Sequence, residues 1–199
     1  MAINASLAQW LFGVAHAHPL LDAAIVFFAK YFSYLLVLIA IGFLLAERNR
    51  RQRLFFLLET LLALLLSRGL LTEGIRFFYH APRPFEVLSL SPLVQDPLPG
   101  TSFPSGHAAF YFALATVFLL HNRKWGLWFF SFALVNGIAR IASGIHWPVD
   151  ILGGAAVGIG SALVVRFMLR RTSRALRIQT APTPPPRETP PAETGAGAA

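Results

Sequence analysis

Long apolar runs, broken by short basic or proline-containing connections, set the pattern of this chain. They lie at about 20–46, 54–79, 105–120, 125–143 and 149–169. A helix of about 20 apolar residues crosses the hydrocarbon of a bilayer, so the pattern predicts five transmembrane helices. The run 105–120 is short for a full span and must extend into its flanks. Ahead of the first run, Leu7, Trp10, Leu11 and Val14 fall at helical spacing. That stretch, 3–15, is too short to cross and reads as an interfacial helix. The expected fold class is an all-α integral membrane protein: five transmembrane helices plus an N-terminal interfacial helix.

Composition agrees. Of 199 residues, 55% are hydrophobic and 13% charged, where a soluble domain carries roughly 25% charged residues. The length suits one domain. There is no cysteine, which excludes disulfides and thiolate chemistry. The N-terminus lacks a basic region followed by a small-residue cleavage site, so no removable signal peptide is expected. From about 179 onward the residues are mainly proline, threonine, glycine and alanine. Such a segment cannot bury enough apolar surface to offset its ordering entropy. The chain therefore divides into a membrane domain, 1–178, and a disordered cytoplasmic tail, 179–199. The partner this composition implies is the lipid bilayer; no nucleic acid is expected, and the oligomeric state is not legible.

Orientation follows from the basic residues. Arg48, Arg50, Arg51 and Arg53 follow the first run, Arg123 and Lys124 the third, and Arg166, Arg170, Arg171, Arg174 and Arg177 close the fifth. With five spans these lie on one side, which the positive-inside rule makes cytoplasmic. The segment 80–103 and the turn 144–147 then face outward, as does the N-terminus.

The candidate chemistry all falls on that outward side. Pro104-Ser105-Gly106-His107 opens the third helix. Proline suits a first helical turn, and the backbone N–H groups of Ser105 and Gly106 at the positive helix end offer an anion site with His107 beside it. A bland helix cap has the same composition. Arg140-x5-His146-x3-Asp150 straddles the turn into the fifth helix. Asp150 in the first turn can accept the His146 N–H, leaving the other ring nitrogen free to attack; the plain alternative is an aspartate cap beside an interfacial histidine. Arg76-x6-Arg83-Pro84 adds two guanidiniums, whose forks suit phosphate oxygens or lipid headgroups. Gathered on one face, the three segments point to a phosphate site.

In order and spacing these segments resemble the type 2 phosphatidic acid phosphatase (PAP2) superfamily, with its motifs Lys-x6-Arg-Pro, Pro-Ser-Gly-His and Ser-Arg-x5-His-x3-Asp. The small size and short loops are most similar to its bacterial undecaprenyl-diphosphatases of the bacitracin-resistance type. So are Leu11-Phe12-Gly13, the stretch 18–28, and Phe85 after Arg83-Pro84. Arg76 replaces the usual lysine and Ala139 the usual serine. The resemblance implies a helical-bundle phosphatase of the bacterial cytoplasmic (inner) membrane, acting on a polyprenyl diphosphate at the extracytoplasmic face. His146 would be the nucleophile, Asp150 its orienter and His107 the general acid and base. Arg76, Arg83, Ser105, Gly106 and Arg140 would bind phosphate, with no metal or other cofactor. Phosphatidylglycerophosphate, phosphatidate and lipid A phosphatases carry the same motifs. A lipid or phosphate transporter is the non-enzymatic alternative, although transporters place charge at the midplane.

Lys30, Glu59, Arg68 and Glu73 lie inside or near apolar runs, where charges pair; helix counting suggests a structural Lys30–Glu73 pair. Gly154, Gly158 and Ala162 form a small-residue stripe on the fifth helix, suited to close packing within the monomer.

Overall fold

A computed structural model describes residues 2–94 and 101–179. Among these the regular structure is entirely helical: α1 (Ala2–Val14), α2 (Pro19–Ala46), α3 (Arg50–Phe78), α4 (Pro84–Val87), α5 (Gly106–His121), α6 (Arg123–Ala142) and α7 (Pro148–Gln179). Helices α2, α3 and α6 and the Pro148–Thr172 part of α7 are long and apolar enough to cross a membrane. The expected tail lies outside the described residues, apart from Gln179, which ends α7.

Helix α5 has 16 residues, about 24 Å at 1.5 Å per residue, short of the roughly 30 Å of hydrocarbon. The sequence before it does not extend the helix, as the apolar pattern required. Instead 101–105 runs in as irregular chain, with Ser102, Pro104 and Ser105 buried. Non-helical backbone at membrane depth is tolerated when protein covers it. The first turn of α5 therefore starts inside the bundle.

Small residues put α5 at the centre. Ala108, Ala109, Ala113 and Ala115 are buried on it, and α7 and α6 close on that surface. A Cβ on Gly158 would fall 2.8 Å from the Ala113 nitrogen, and one on Gly154 2.7 Å from the Ala108 Cβ. The small-residue stripe thus lets α7 lie directly on α5 within one chain. Further along, Phe118 stacks on Phe129 at 4.1 Å and meets Phe56 edge-on at 5.1 Å. Side-chain caps start the helices: Asn49 Oδ1 accepts from the Arg51 and Gln52 amides, Ser105 Oγ from Ala108, and Asn122 Oδ1 from Trp125. Each satisfies an amide that the first turn leaves without a partner.

The charges inside the apolar runs pair, in one case otherwise than expected. Glu59 is fully buried and accepts from Arg166 Nη1 at 2.7 Å, with His121 Nε2 at 3.5 Å. Glu73 pairs with Arg68 and, at 3.4 Å, with Arg76 on its own helix, and not with Lys30. The reason is a π-helical turn at Leu65–Leu71. A π turn bonds residues five apart, as the Thr72 amide does to the Ser67 carbonyl, and it brings Arg68 beside Glu73. Counting at 3.6 residues per turn cannot anticipate that register.

Helix α1 packs on α6 and α7 through Ala8 and Leu11 against Ile141 and Ile151. Asn4 Oδ1 accepts from the Val149 amide at the start of α7, while Trp10 is left 66% exposed. Helix α1 thus covers the end of the bundle at which α5 and α7 begin.

Close approach of α7 to α5 gives a direct test. Gly158→Leu is expected to destabilise the bundle by about 1–3 kcal/mol, the usual result of overpacking, and to lower the yield of monodisperse protein in detergent. Gly160→Leu, with open space around the added side chain, should leave that yield unchanged.

Candidate active site

The turn between α6 and α7 sets the geometry. Gly144, at φ +81°, reverses the chain in a backbone conformation that favours glycine. Pro148 then begins α7, and Asp150 stands in its first turn, where the helix dipole favours a carboxylate. His146 Nδ1 lies 3.3 Å from Asp150 Oδ2, and both side chains are buried. The same oxygen accepts from the Trp147 amide at 2.7 Å and from the Ser102 hydroxyl. Asp150 can thus hold the Nδ1–H tautomer of His146, turning Nε2 away from itself. Arg140 Nη2 lies 3.5 Å from that Nε2, and Arg140 Nη1 donates to the Ala29 carbonyl.

The second segment meets the third through the backbone. Ser105 N–H donates to the Asp150 carbonyl at 3.0 Å. The close seating of α7 under α5 thus engages the amide expected to bind phosphate, and the Ser105 hydroxyl serves as the N-cap. Gly106 opens the helix, so its amide has no intrahelical acceptor, and it remains the backbone donor of the pair. His107 is exposed where His146 is buried. The two imidazoles lie at the same end of the bundle, close enough to interact electrostatically, and His107 also feels Arg140, Arg68 and Arg76.

Arg76 and Arg83 arrive from α3 and from the loop after it. Arg76 donates through Nε and Nη2 to the Pro104 carbonyl, at 3.2 and 3.0 Å, which ties the first segment to the second. Arg83 Nη1 donates to the Ile145 carbonyl at 3.2 Å, next to His146. The loop is pinned from several sides: Trp147 Nε1 donates to the Pro82 carbonyl, the Phe85 amide to Gly144, and the Ser102 amide to Ala81. Arg76, Arg83, Ser105, Gly106, His107, Arg140, His146 and Asp150 are thus all drawn to one end of the bundle.

A cavity of about 670 Å³ opens on this group, lined by Gly106 and His107 from the second segment, Arg140 from the third, and by Lys30, Arg68 and Tyr34 from α2 and α3. His107 and Arg140 line it, while His146, in contact with Arg140, is buried outside its lining. Sequence reasoning missed Ser102, because a single serine in a loop carries no periodic or spacing signal. It also gave Arg68 no role. The guanidinium of Arg68 in fact lies against Gly106, where a Cβ would fall 2.6 Å from its Nε.

A buried imidazole oriented by a carboxylate, a second imidazole in the cavity, and guanidiniums around both can bind a phosphoryl group and attack it. Known phosphatases are similar to this chain along most of its length. Undecaprenyl-diphosphatase BcrC of Bacillus subtilis is 32% identical over 177 residues, which cover 88% of this chain and 86% of that protein. A crystal structure of Aquifex aeolicus LpxE superposes with a TM-score of 0.68 at 30% identity, covering 83% of this chain and 95% of that one. A transmembrane PAP2-type phosphatidylglycerolphosphate phosphatase from Bacillus subtilis shares the fold, with a TM-score of 0.61 at 20% identity over 85% of this chain and 86% of its own. Residues 54–174, which contain all three segments, match the pattern of the PAP2 superfamily, and the chain belongs to that superfamily of phosphatases.

Proposed function

We propose that this membrane phosphatase removes the terminal phosphate of a polyprenyl diphosphate, of the undecaprenyl type, at the outer face of a bacterial cytoplasmic membrane. The observation that carries the chemistry is the His146–Asp150 contact with Nε2 facing Arg140. Chain-long likeness to an undecaprenyl-diphosphatase supports the substrate. The orientation rests on charge: Arg48, in the connection before α3, and Arg50, Arg51, Arg53, Arg123 and Lys124, in the first turns of α3 and α6, all lie at the end opposite the site, which the positive-inside rule assigns to the cytoplasm.

The reaction proceeds in two displacements. In the first, the Nε2 lone pair of His146 attacks the terminal phosphorus and the bond to the bridging oxygen breaks. That oxygen leaves with the lipid monophosphate and takes a proton from His107. In the second, His107 removes a proton from water, whose oxygen attacks phosphorus. The P–N bond breaks, giving orthophosphate and restoring His146. Asp150 stabilises the imidazole while it carries the phosphoryl group. Arg76, Arg83, Arg140 and the Gly106 amide stabilise charge on the phosphoryl oxygens, in geometry set before substrate arrives. Magnesium would want several oxygen ligands, whereas Asp150 is engaged by Ser102, Trp147 and His146 and stands among guanidiniums. The chemistry needs no metal.

Phosphate release by purified protein from a panel of lipids, with chelator present, tests the substrate. The expected preference is for polyprenyl diphosphate over phosphatidate and phosphatidylglycerophosphate, unchanged by chelation. A reversed preference removes the polyprenyl assignment, and loss of activity on chelation removes the metal-free route. His146→Ala should abolish both turnover and an acid-labile phosphoenzyme seen by rapid quench with labelled substrate. His107→Ala should slow each step by the 10²–10⁴-fold typical of a lost acid–base group. Near-normal turnover in His146→Ala contradicts the mechanism.

A further inference from the structure

Two cations facing the cavity belong to none of the three segments. Lys30 lies on α2 and Arg68 on α3, and both line the space into which His107 and Arg140 point. Each sits on a π-helical turn, Phe27–Tyr31 for Lys30 and Leu65–Leu71 for Arg68. Isolated π turns inside α-helices occur frequently at functional sites. Lys30 is eleven residues from Pro19, and Arg68 ten residues from Phe78, at the ends of α2 and α3 nearest the site. At 1.5 Å per residue both lie about 15 Å below those ends.

An ionisable group at such depth is expensive unless it is paired or faces a water-filled cavity. Arg68 is held by Glu73 and laid against Gly106. Lys30 has no ion-pair partner among the described residues, and its ammonium lies 5.4 Å from the Tyr31 ring centroid. A cavity that keeps an unpaired lysine beside an arginine is built to receive an anion.

The proposed direction of attack says which anion. In-line displacement by His146 sends the leaving oxygen to the far side of phosphorus, toward His107 and the cavity. For a lipid diphosphate, the leaving group is a lipid monophosphate, so its remaining phosphoryl group comes to rest beside His107, Arg68 and Lys30. The same cavity shares Val37 and Phe110 with an apolar groove of about 240 Å³ between α2 and α3, lined by Ile41, Leu44, Leu57 and Leu61. A hydrocarbon tail continuing from that phosphate has an apolar path ready for it.

We propose that Lys30 and Arg68 form a second anion subsite, which holds the phosphate that stays on the lipid and makes the site selective for diphosphates over monophosphate esters. Both cations also balance the charge that builds on the leaving phosphate as the bridging bond breaks. The subsite rests on the diphosphatase reading given above.

The test compares kcat/KM for a polyprenyl diphosphate with kcat/KM for phosphatidate, using the full chain in nanodiscs. Taking the ratio within each variant cancels differences in folded fraction. Lys30→Gln and Arg68→Gln should each lower the diphosphate-to-monophosphate ratio about tenfold, and Lys30→Arg should restore most of it. A ratio that stays constant while both rates fall overturns the subsite and leaves a general structural role. A ratio unchanged with unchanged rates overturns it as well. Wild-type protein with no preference for the diphosphate sinks both the substrate reading and the subsite, whereas a wild-type preference that survives the substitutions sinks the subsite alone.

Discussion

Asp150 is the junction on which the site depends. One of its carboxylate oxygens meets His146, the Trp147 amide and the Ser102 hydroxyl, and its backbone carbonyl accepts from Ser105 at the head of α5. Ser102 in turn bonds back to Ala81, and Trp147 to Pro82, beside Arg83. Segments separated by dozens of residues are thereby locked around one first-turn carboxylate. An aspartate there is stabilised by the helix N-terminus, and donors from three directions converge on one of its oxygens. Burial of such a group is tolerated because it is hydrogen-bonded.

The bilayer shapes the rest. A short α5 starts below the ends of its neighbours, and the buried irregular chain before it makes up the missing length. Gly106 and His107 are consequently recessed, with cavity above and packed alanine and glycine surfaces below. Low dielectric surroundings strengthen the pull of the guanidiniums on an anion, and they raise the cost of leaving those charges without one. At the opposite end, Glu59 is fully buried and is matched by Arg166 and His121. The two ends therefore use charge differently, one to hold the bundle together and the other to receive a ligand.

Much of this was legible in the linear chain, for identifiable reasons. Apolar runs report spans directly because lipid demands them, and the four-residue step from His146 to Asp150 at a helix start fixes their proximity. The small-residue stripe on α7 announced a close helix contact, and Gly154 and Gly158 make it. What escaped was register. Two π turns displace Lys30 and Arg68 from the faces that a regular helix implies, so Glu73 found Arg68 and Arg76 and left Lys30 facing the cavity. Nothing local says that α7 lies close enough to engage the Ser105 amide. Ser102 acts through a fold-level contact that no spacing encodes.

The central claim is that the three segments surround one phosphorus atom with His146 in position to bond it. A structure of the protein with orthovanadate bound tests this most directly. The account predicts vanadium bonded to His146 Nε2, the opposite axial oxygen facing His107, and equatorial oxygens held by Arg76, Arg83 and Arg140. Vanadate bound away from His146, or bonded through His107 with His146 out of reach, would contradict it.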